Sequence, residues 1–501
     1  MGTRHCLLGI DLGTGSTKAV VLDEEGTQLS TASAPVGLSE PRPGWAESDP
    51  EGWWRSVVSA VKEALGRAQA PIGAVGLSGQ MHGVVLSRPD GEALRPAMLS
   101  LDQRAQGDLA AYRALPPEVL STLGNPFVPG MAGPLLHWLA SHEPEVLRRA
   151  TWALQPKDWL RLRLVGRAGS EPSDASGTLL FDLAANTWAL PVVEGLGLPP
   201  SLLAPLGEPA AVAAPLLEAA GAELGLPAGT PVAFGASDTA AALVGTGLPD
   251  AGGAIQLIVG SAAQVVTLRH APRPDPRRRY HVFAAADPGL WYALAAVQIA
   301  GVALSWVLRT FRGTWEEAYQ LLGAAPAGAR GALFVPHLAG ARSPSMDSSA
   351  RAGFSGLELA HDRADVFRAV FEGVAFSIAE AAGSLPEFDE APFLYLAGGG
   401  TLQGAWRQLL CDVLGKPLLV VVDPNASARG AALLGGRATG IPASARAGVR
   451  WTERVEPDPL AHERLATTFE RWKMAAKANG FSSSEGMPYA ALGMGPTSRT
   501  G

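Results

Sequence analysis

The segment from Cys6 to Leu22 constrains the fold of this chain more than any other stretch. Two short runs rich in Val, Ile and Leu enclose the polar segment Asp11-Leu12-Gly13-Thr14-Gly15-Ser16-Thr17-Lys18. Because short aliphatic runs favour strands and a Gly/Ser/Thr cluster favours a turn, the pattern predicts strand, tight turn and strand. A dinucleotide fingerprint or a P-loop would open a helix at this point, and neither pattern fits these residues.

This first turn has the chemistry of a phosphate-binding loop. The backbone N–H groups and hydroxyls around Gly13 and Thr14 can approach an anion closely, and Asp11 at the end of the first strand can hold a hydrated divalent cation. A metal-bound polyphosphate would satisfy both features. An ordinary hairpin turn capped by Asp11 is the alternative that this stretch alone leaves open.

Length and composition describe a folded protein with more than one domain. The chain has 501 residues, of which 47% are hydrophobic and 17% charged, and this length predicts roughly two to four domains. No apolar run is long enough to span a bilayer and the first residues lack the plan of a signal peptide, so we expect a cytoplasmic protein without a membrane partner. The two cysteines, Cys6 and Cys411, exclude a disulfide framework, and the net charge of -7 gives no general attraction for nucleic acid.

A second segment, 72–86, again predicts strand, turn and strand, and a helix is predicted before it. The helix candidate Trp45–Gly66 has a start signal in Ser48-Asp49-Pro50-Glu51. Within the second segment, Gly76-Leu77-Ser78-Gly79 is similar to a nucleophile elbow. However, Gln80 stands where that motif requires glycine and a strand follows, so the pattern does not predict a serine hydrolase.

The middle of the chain repeats the opening plan. The runs Ala254–Val259 and Gln264–Leu268 predict two strands, and Gly260-Ser261 between them occupies the place that Gly13-Thr14 has in the first turn. This repeat suggests two related halves that hold a phosphate chain between two hairpins, as in actin-like ATPases. Just before it, Asp238 follows a short strand and precedes a small-residue helix, so a helix N-cap is its structural alternative.

The last part of the chain predicts two strand-to-helix units and a C-terminal helix. Gly398-Gly399-Gly400 lies between a predicted strand and a predicted helix, where glycines let the backbone lie against a flat ligand such as a nucleoside. The segment Trp451–Ala476 predicts a loop and an amphipathic helix. Residues 479–501 are rich in Gly, Ser and Pro and predict a disordered tail.

With these motifs in order, the sequence resembles the FGGY carbohydrate kinases, and within them the xylulokinase branch. The resemblance runs from Leu7 to about Leu434. It rests on five motifs: Asp11–Thr14 at the first turn, Gln80-Met81-His82-Gly83, Asp102-Gln103-Arg104 with Ser100 where an aromatic residue is usual, Gly235–Asp238, and Gly398–Gly400. Because the five motifs occur in the order and at the spacing of the family, together they identify it far more specifically than any single motif does.

The resemblance implies an α/β fold of two actin-like (ribonuclease H-like) domains with an interdomain active-site cleft. The N-terminal domain is expected at 1–246, the C-terminal domain at 247–478 and the tail at 479–501. It also implies the residue roles. Asp238 would be the catalytic base, and Asp11 and Asp238 would hold Mg2+. Met81, His82, Asp102 and Asp238 would contact the sugar. ATP would be held by Gly13, Thr14, Gly260, Ser261, Gly398, Gly399 and Gly400.

The implied reaction is ATP-dependent phosphorylation of the terminal 5-hydroxyl of a ketopentose, D-xylulose first. Another ketose, a polyol or an aldonate as substrate, and a non-catalytic sugar or nucleotide sensor on the same fold, stay open as alternatives. Two departures from the family pattern bear on the site. The second turn, Gly260-Ser261-Ala262-Ala263, lacks its closing glycine, and Gly340-Ala341-Arg342-Ser343-Pro344 lacks a carboxylate. A homodimer is the expected assembly.

Overall fold

The computed structural model describes residues 5–248, 254–422, 425–444 and 450–479. The strands of the first half are β1 (Cys6–Leu12), β2 (Ser16–Leu22), β3 (Gln28–Pro35), β4 (Glu47–Ser48), β5 (Ile72–Gly79), β6 (Val85–Ser87), β7 (Ala97–Met98), β8 (Trp152–Leu154), β9 (Phe181–Asp182), β10 (Thr187–Trp188), β11 (Val212–Pro215), β12 (Pro231–Ala233) and β13 (Ala236–Ser237). Its helices are α1 (Pro50–Ala68), α2 (Leu109–Arg113), α3 (Pro117–Ser121), α4 (Ala132–His142), α5 (Pro144–Arg149), α6 (Pro156–Val165), α7 (Pro172–Ala175), α8 (Leu190–Gly195), α9 (Glu218–Leu224) and α10 (Asp238–Thr246).

The second half follows the same alternation of strands and helices. Its strands are β14 (Ile255–Val259), β15 (Ala263–Arg269), β16 (His281–Ala284), β17 (Trp291–Val297), β18 (Leu333–Val335), β19 (Gly353–Ser355), β20 (Leu394–Ala397), β21 (Leu418–Val422) and β22 (Arg450–Val455). Its helices are α11 (Gly301–Thr310), α12 (Trp315–Ala324), α13 (Arg363–Ala382), α14 (Gly404–Leu414), α15 (Ala426–Thr439) and α16 (Pro459–Asn479). The predicted tail lies, after Asn479, outside the described residues. Among the described helices none is long and apolar enough to cross a membrane.

The two predicted hairpins are present and organise two sheets of the same plan. In the first sheet the order is β3-β2-β1-β5-β12-β11, and in the second it is β17-β15-β14-β20-β21-β22 with β16 added beside β17. In both sheets the hairpin strands pair antiparallel, the next two pairings are parallel, and the last is antiparallel. The inferred internal repeat is therefore confirmed by strand order and direction.

Local sequence explains where the long helix of the first half begins. The Asp49 side chain accepts hydrogen bonds from the backbone N–H groups of Glu51 and Gly52, and Pro50 occupies the first turn. The face that includes Trp53 and Val57 is fully buried against the first sheet. The predicted start signal was thus correct, and the helix begins five residues later than the predicted Trp45.

Helix α15 joins the two halves because it belongs to the second half by sequence and packs on the first sheet. A Cβ atom at Gly76 of β5 would lie 1.7 Å from the Ala431 carbonyl oxygen, and one at Gly430 would lie 1.8 Å from that of Ala241 in α10. Backbones can approach this closely only where no side chain intervenes. These contacts hold β5, α10 and α15 together between the two halves of the chain.

The structure differs from the sequence-based expectation near the C terminus. We predicted a loop from Trp451, whereas β22 occupies Arg450–Val455 and pairs antiparallel with β21. This strand exists because β21 offers a sheet edge, which local sequence does not reveal. The amphipathic helix predicted after it is α16.

Candidate active site

Two neighbouring cavities lie between the halves and share three residues. The first, named here the Asp11 cavity, has a volume of about 300 Å3, and the second, named the His82 cavity, has about 290 Å3. Asp238, Thr239 and Gln264 line both. Each cavity draws lining residues from both halves of the chain. A group at Asp238 can therefore face one ligand in each cavity.

Asp238 is the first residue of α10 and follows β13 directly. Its Oδ1 accepts a hydrogen bond from the Thr239 backbone N–H at 2.6 Å and lies 3.3 Å from the Thr239 hydroxyl oxygen. Both described bonds use Oδ1, so the cap-type contact leaves Oδ2 for another task. Burial, followed by the negative charge of Asp11, raises the pKa of Asp238 to about 7. A carboxyl group with this pKa suits a general base at neutral pH.

Asp11 lies at the end of β1, opposite Lys18 in the hairpin register. Its Oδ1 accepts a hydrogen bond from the Ser78 hydroxyl at 3.1 Å, and burial raises the pKa of its carboxyl group. Asp11 and Asp238 thus place two carboxylates on one cavity, where each disfavours the charge of the other.

This pair of carboxylates fits a divalent cation shared with phosphates. Among the described residues there is no group of three or more His, Cys, Asp or Glu side chains that could hold a metal ion alone. Mg2+ commonly uses one or two protein carboxylates and completes its shell with water and substrate phosphates. A cation between Asp11 and Asp238 would also offset their mutual repulsion.

The glycine segment after β20 contributes to the wall of the Asp11 cavity. Gly398 has φ of +104°, and a Cβ atom there would lie 2.3 Å from the Val259 carbonyl oxygen, so only glycine fits this position. Gly398 and Gly399 line the cavity. Glycine is required at Gly398 by its packing on β14, whereas a Cβ atom at Gly399 would meet nothing within 4 Å, so a flat ligand can approach the backbone at Gly399.

The residues of the two predicted phosphate turns lie nearby but not all on the cavities. Thr14 lines the His82 cavity and donates a hydrogen bond to Gln80 Oε1 at 3.0 Å. Among the described lining residues of the two cavities, Gly13, Gly260, Ser261 and Gly400 do not occur. The Ser261 side chain is exposed, and its carbonyl oxygen accepts from the N–H groups of Ala300 and Val302 at the start of α11.

Met81 and His82 line the second cavity, as the sequence pattern suggested for a sugar site. His82 Nδ1 lies 2.7 Å from the Gly177 carbonyl oxygen, so Nδ1 carries the proton and Nε2 is an acceptor. Burial is the main cause that lowers the pKa of His82 to about 4, so the ring is neutral at pH 7. The Tyr292 hydroxyl, from the second half, lies 3.5 Å from Met81 Sδ.

Asp102 is placed beside the His82 cavity and not on it. Its side chain is fully buried, and Oδ2 accepts from the Ala46 backbone N–H at 2.8 Å and from the Arg104 guanidinium at 2.7 Å. Its neighbours Ser100 and Leu101 line the cavity instead. The structure therefore gives Asp102 described partners within the fold, and its contact with a sugar stays a prediction.

The second half contributes a wall to the His82 cavity that sequence reasoning did not identify. His281, Gln298 and Arg342 line it. His281 is only 2% exposed, and both of its ring nitrogens are without a hydrogen-bond partner among the described residues. Buried polar groups are normally paired, so this ring is available to a ligand.

A buried ionic cluster lies behind Asp238. Lys157 Nζ is 2.6 Å from Asp158 Oδ1, 3.3 Å from Asp174 Oδ2 and 3.5 Å from Glu171 Oε1, and all four side chains are essentially inaccessible. Burial acts to lower the pKa of Lys157, but the surrounding carboxylates raise it overall, so Lys157 stays charged.

This cluster is connected to the backbone next to Asp238 by one serine. The Ser173 hydroxyl donates to Glu171 Oε1 at 2.8 Å and accepts from the Ser237 backbone N–H at 2.9 Å. Ser237 precedes Asp238, so the cluster fixes the backbone from which the Asp238 side chain extends. The segments that contain Lys157 and Ser173 showed no chemistry in the sequence, because their partners are brought together only by folding.

The two sheets of the same plan, with cavities between them, define a two-domain protein of the actin-like class. Residues 6–245 match the model of the N-terminal domain of the FGGY family of carbohydrate kinases, and residues 257–439 match that of the C-terminal domain. The chain belongs to the FGGY family of carbohydrate kinases. It is a two-domain sugar kinase, as the sequence motifs indicated.

Individual relatives agree with this assignment. The xylulose kinase of Escherichia coli (strain K12) is 33% identical over 420 residues, which cover 82% of this chain and 85% of that protein. The autoinducer-2 kinase of Enterobacter sp. (strain 638) is 30% identical over 498 residues, which cover 93% of each chain. The crystal structure of xylulose kinase from Rhodospirillum rubrum superposes with a TM-score of 0.85 at 28% identity, covering 95% of this chain and 99% of that one.

Proposed function

We propose that this kinase transfers the γ-phosphate of ATP to the terminal 5-hydroxyl of D-xylulose. The observation that carries the proposal is the position of Asp238 on both cavities. MgATP would occupy the Asp11 cavity and the sugar the His82 cavity, so that acceptor and donor meet at one carboxylate. D-Xylulose is favoured by Gln80-Met81-His82-Gly83 and by relatives named xylulose kinase.

In the proposed reaction Asp238 removes the proton from the attacking hydroxyl. Its pKa of about 7 leaves a substantial basic fraction at neutral pH, and Oδ2 is the oxygen that the cap-type bonds do not use. The neutral His82 ring accepts a hydrogen bond from a sugar hydroxyl through Nε2. Mg2+, when bound at Asp11 and Asp238, would neutralise negative charge on the phosphates.

The remaining residues orient the nucleotide and exclude water. Gly398 and Gly399 would let the adenosine lie against the backbone, while Gly13, Thr14, Gly260, Ser261 and Gly400 would hold phosphates or adjoin them once the cleft closes on its ligands. Closure would also protect the phosphoryl group from attack by water. Residues 1–246 and 247–478 are the two domains that would close.

A coupled ADP-release assay tests the proposal. We expect the highest kcat/KM with D-xylulose in a panel that includes D-ribulose, xylitol and D-gluconate, and we expect 31P NMR to identify the 5-phosphate as product. A higher kcat/KM with another member of the panel would replace D-xylulose by that substrate. Absence of sugar-dependent ADP release with every member would contradict the kinase mechanism itself.

The cellular setting follows from the same proposal. A kinase that uses ATP and an internal sugar acts in the cytoplasm, where we place it. We also propose a homodimer, which light scattering during size-exclusion chromatography tests by mass. A single species with the mass of one chain, 51.8 kDa, would contradict it.

A further inference from the structure

A third cavity, named here the arginine pocket, opens beside the His82 cavity. Its volume is about 130 Å3, and its polar lining consists of Gln103, Gln106, Arg113, Gln298, Arg342 and Ser348. Gln298 and Arg342 also line the His82 cavity, so the two spaces are adjacent. One water molecule needs about 10–15 Å3 of such volume, and the pocket therefore accommodates a phosphate or carboxylate group.

The arginine pocket is positively charged, and no acidic side chain among the described residues balances this charge. Two arginines line it, and no acidic side chain occurs among its described lining residues. Neither Arg113 nor Arg342 forms an ion pair with any residue in the part of the chain that the structure describes. Arg342 Nε instead faces the neutral Gln298 Oε1 at 3.4 Å, which is a long and therefore weak hydrogen bond.

Within the described parts of the chain, the electrostatic environment of Arg342 contains no carboxylate that balances its positive charge. Burial lowers the pKa of the Arg342 guanidinium, and no carboxylate acts against that effect. After burial, the charge of Arg342 also contributes to the lowered pKa values of His82 and His281. Partly buried arginines are normally paired, and a planar guanidinium matches carboxylate and phosphate oxygens. The residue before Arg342 is Ala341, so the carboxylate that is usual in this part of the family pattern is absent from the sequence here.

We propose that the arginine pocket is an anion-binding site that receives a phosphate or carboxylate group. The group belongs either to a sugar acid or sugar phosphate that extends from the His82 cavity, or to a free oxyanion bound beside the sugar. Arg113 and Arg342 supply the charge, and Gln103, Gln106 and Gln298 supply neutral donors. The first of these sources rests on the proposed position of the sugar in the His82 cavity, and the second does not.

Calorimetric titration with inorganic phosphate tests the site without turnover. The full chain is first saturated with Mg2+ and a non-hydrolysable ATP analogue, so that phosphate does not enter the Asp11 cavity. We expect saturable binding that weakens at high salt and becomes about tenfold or more weaker in Arg113→Ala. Arg113 is exposed, so its removal leaves the core unchanged. The matched control Arg149→Ala, also exposed and on α5, should bind phosphate as the wild type does.

The source of the anion is distinguished by two sugars of equal carbon number. If the group belongs to a ligand in the His82 cavity, D-xylonate competes with phosphate for binding and D-xylulose does not. In that case Arg113→Ala weakens the binding of D-xylonate and leaves the binding of D-xylulose unchanged. If it is a free oxyanion, phosphate binds equally well in the presence of either sugar. Absence of phosphate binding to the wild type, or equal affinities in wild type and Arg113→Ala, would overturn the proposal. Neither result bears on whether D-xylulose is phosphorylated.

Discussion

Asp238 and Asp11 face the same cavity, and burial together with the charge of Asp11 raises the pKa of Asp238 to about 7. The two residues lie far apart in sequence and meet because β13 and β1 both pair with β5. Parallel strands bring their carboxyl ends to one edge of a sheet, so Asp238, the proposed base, and Asp11, the proposed cation ligand, share that edge.

The raised pKa of Asp238 predicts a specific pH dependence of stability in the metal-free protein. An unfolded aspartate has a pKa of about 3.9, so above that value the unfolded chain has lost a proton that the folded state retains. The contribution of Asp238 to stability is therefore full below about pH 4 and is lost as the pH rises through about 7. With EDTA present, we expect the wild type to lose stability relative to Asp238→Asn between about pH 5 and pH 8. The loss should be on the order of a few kcal/mol in unfolding free energy, and it should be visible as a lower Tm. Parallel curves for the two proteins would show that Asp238 is not perturbed.

His82→Ala should raise the KM for the sugar by about one to two decades and change the KM for ATP much less. The variant loses one hydrogen bond to a buried polar ligand, which is worth roughly 1–3 kcal/mol. Because the pKa of His82 is about 4, this ring stays neutral between about pH 6 and pH 8, and the effect of His82→Ala on the sugar KM should be the same across that range. Steady-state kinetics with each substrate varied in turn measures both effects. Equal increases in the two KM values would argue against a sugar contact.

Ser261→Ala should weaken the use of ATP while binding of the sugar alone is unchanged. The turn loses one hydroxyl and keeps its backbone donors, so the KM for ATP should increase at saturating sugar without loss of stability. Ser305→Ala is the matched control, because Ser305 is also exposed and lies on the following helix. If both variants titrate with ATP as the wild type does, Ser261 is a turn residue only.

Lys157→Met should destabilise the protein by about 3–5 kcal/mol, because Glu171 and Asp174 lose their buried cation and Asp158 keeps only Arg161, whose guanidinium lies 3.0 Å from Asp158 Oδ1. Urea unfolding measures this loss, and Lys62→Met on the exposed face of α1 provides the control. A loss below about 1 kcal/mol would mean that the carboxyl groups are already protonated in the wild type.

The sequence predicted the elements that local pattern encodes. The two hairpins, their repetition and the strand-to-helix units were foreseen because periodicity and turn residues determine them. The motifs predicted seven residues that the structure brings to two adjoining cavities, and their roles there stay predictions: Asp11, Thr14, Met81, His82, Asp238, Gly398 and Gly399.

Other features depend on tertiary contacts that no local pattern reveals. The strand β22 exists because β21 has a free edge, and the wall of His281, Gln298 and Arg342 forms because the second half folds over the first. Asp102 matches a family motif, yet its oxygens bond to Ala46 and Arg104. A motif gives the identity of a residue, and the direction of its side chain is decided by packing.

The central claim is that Asp238 is the general base, and the turnover number of Asp238→Asn tests it most directly. Asparagine keeps the size of the side chain and a cap-type hydrogen bond to Thr239 but does not take up a proton at neutral pH. Asp182→Asn is the matched control, since the Asp182 carboxylate accepts from the backbone N–H groups of Ala184 and Ala185 and serves the fold alone. We predict that kcat of Asp238→Asn falls by about 10²–10⁴ while both substrates still bind and the protein unfolds at the wild-type temperature or above. A folded Asp238→Asn enzyme with wild-type kcat would contradict the account.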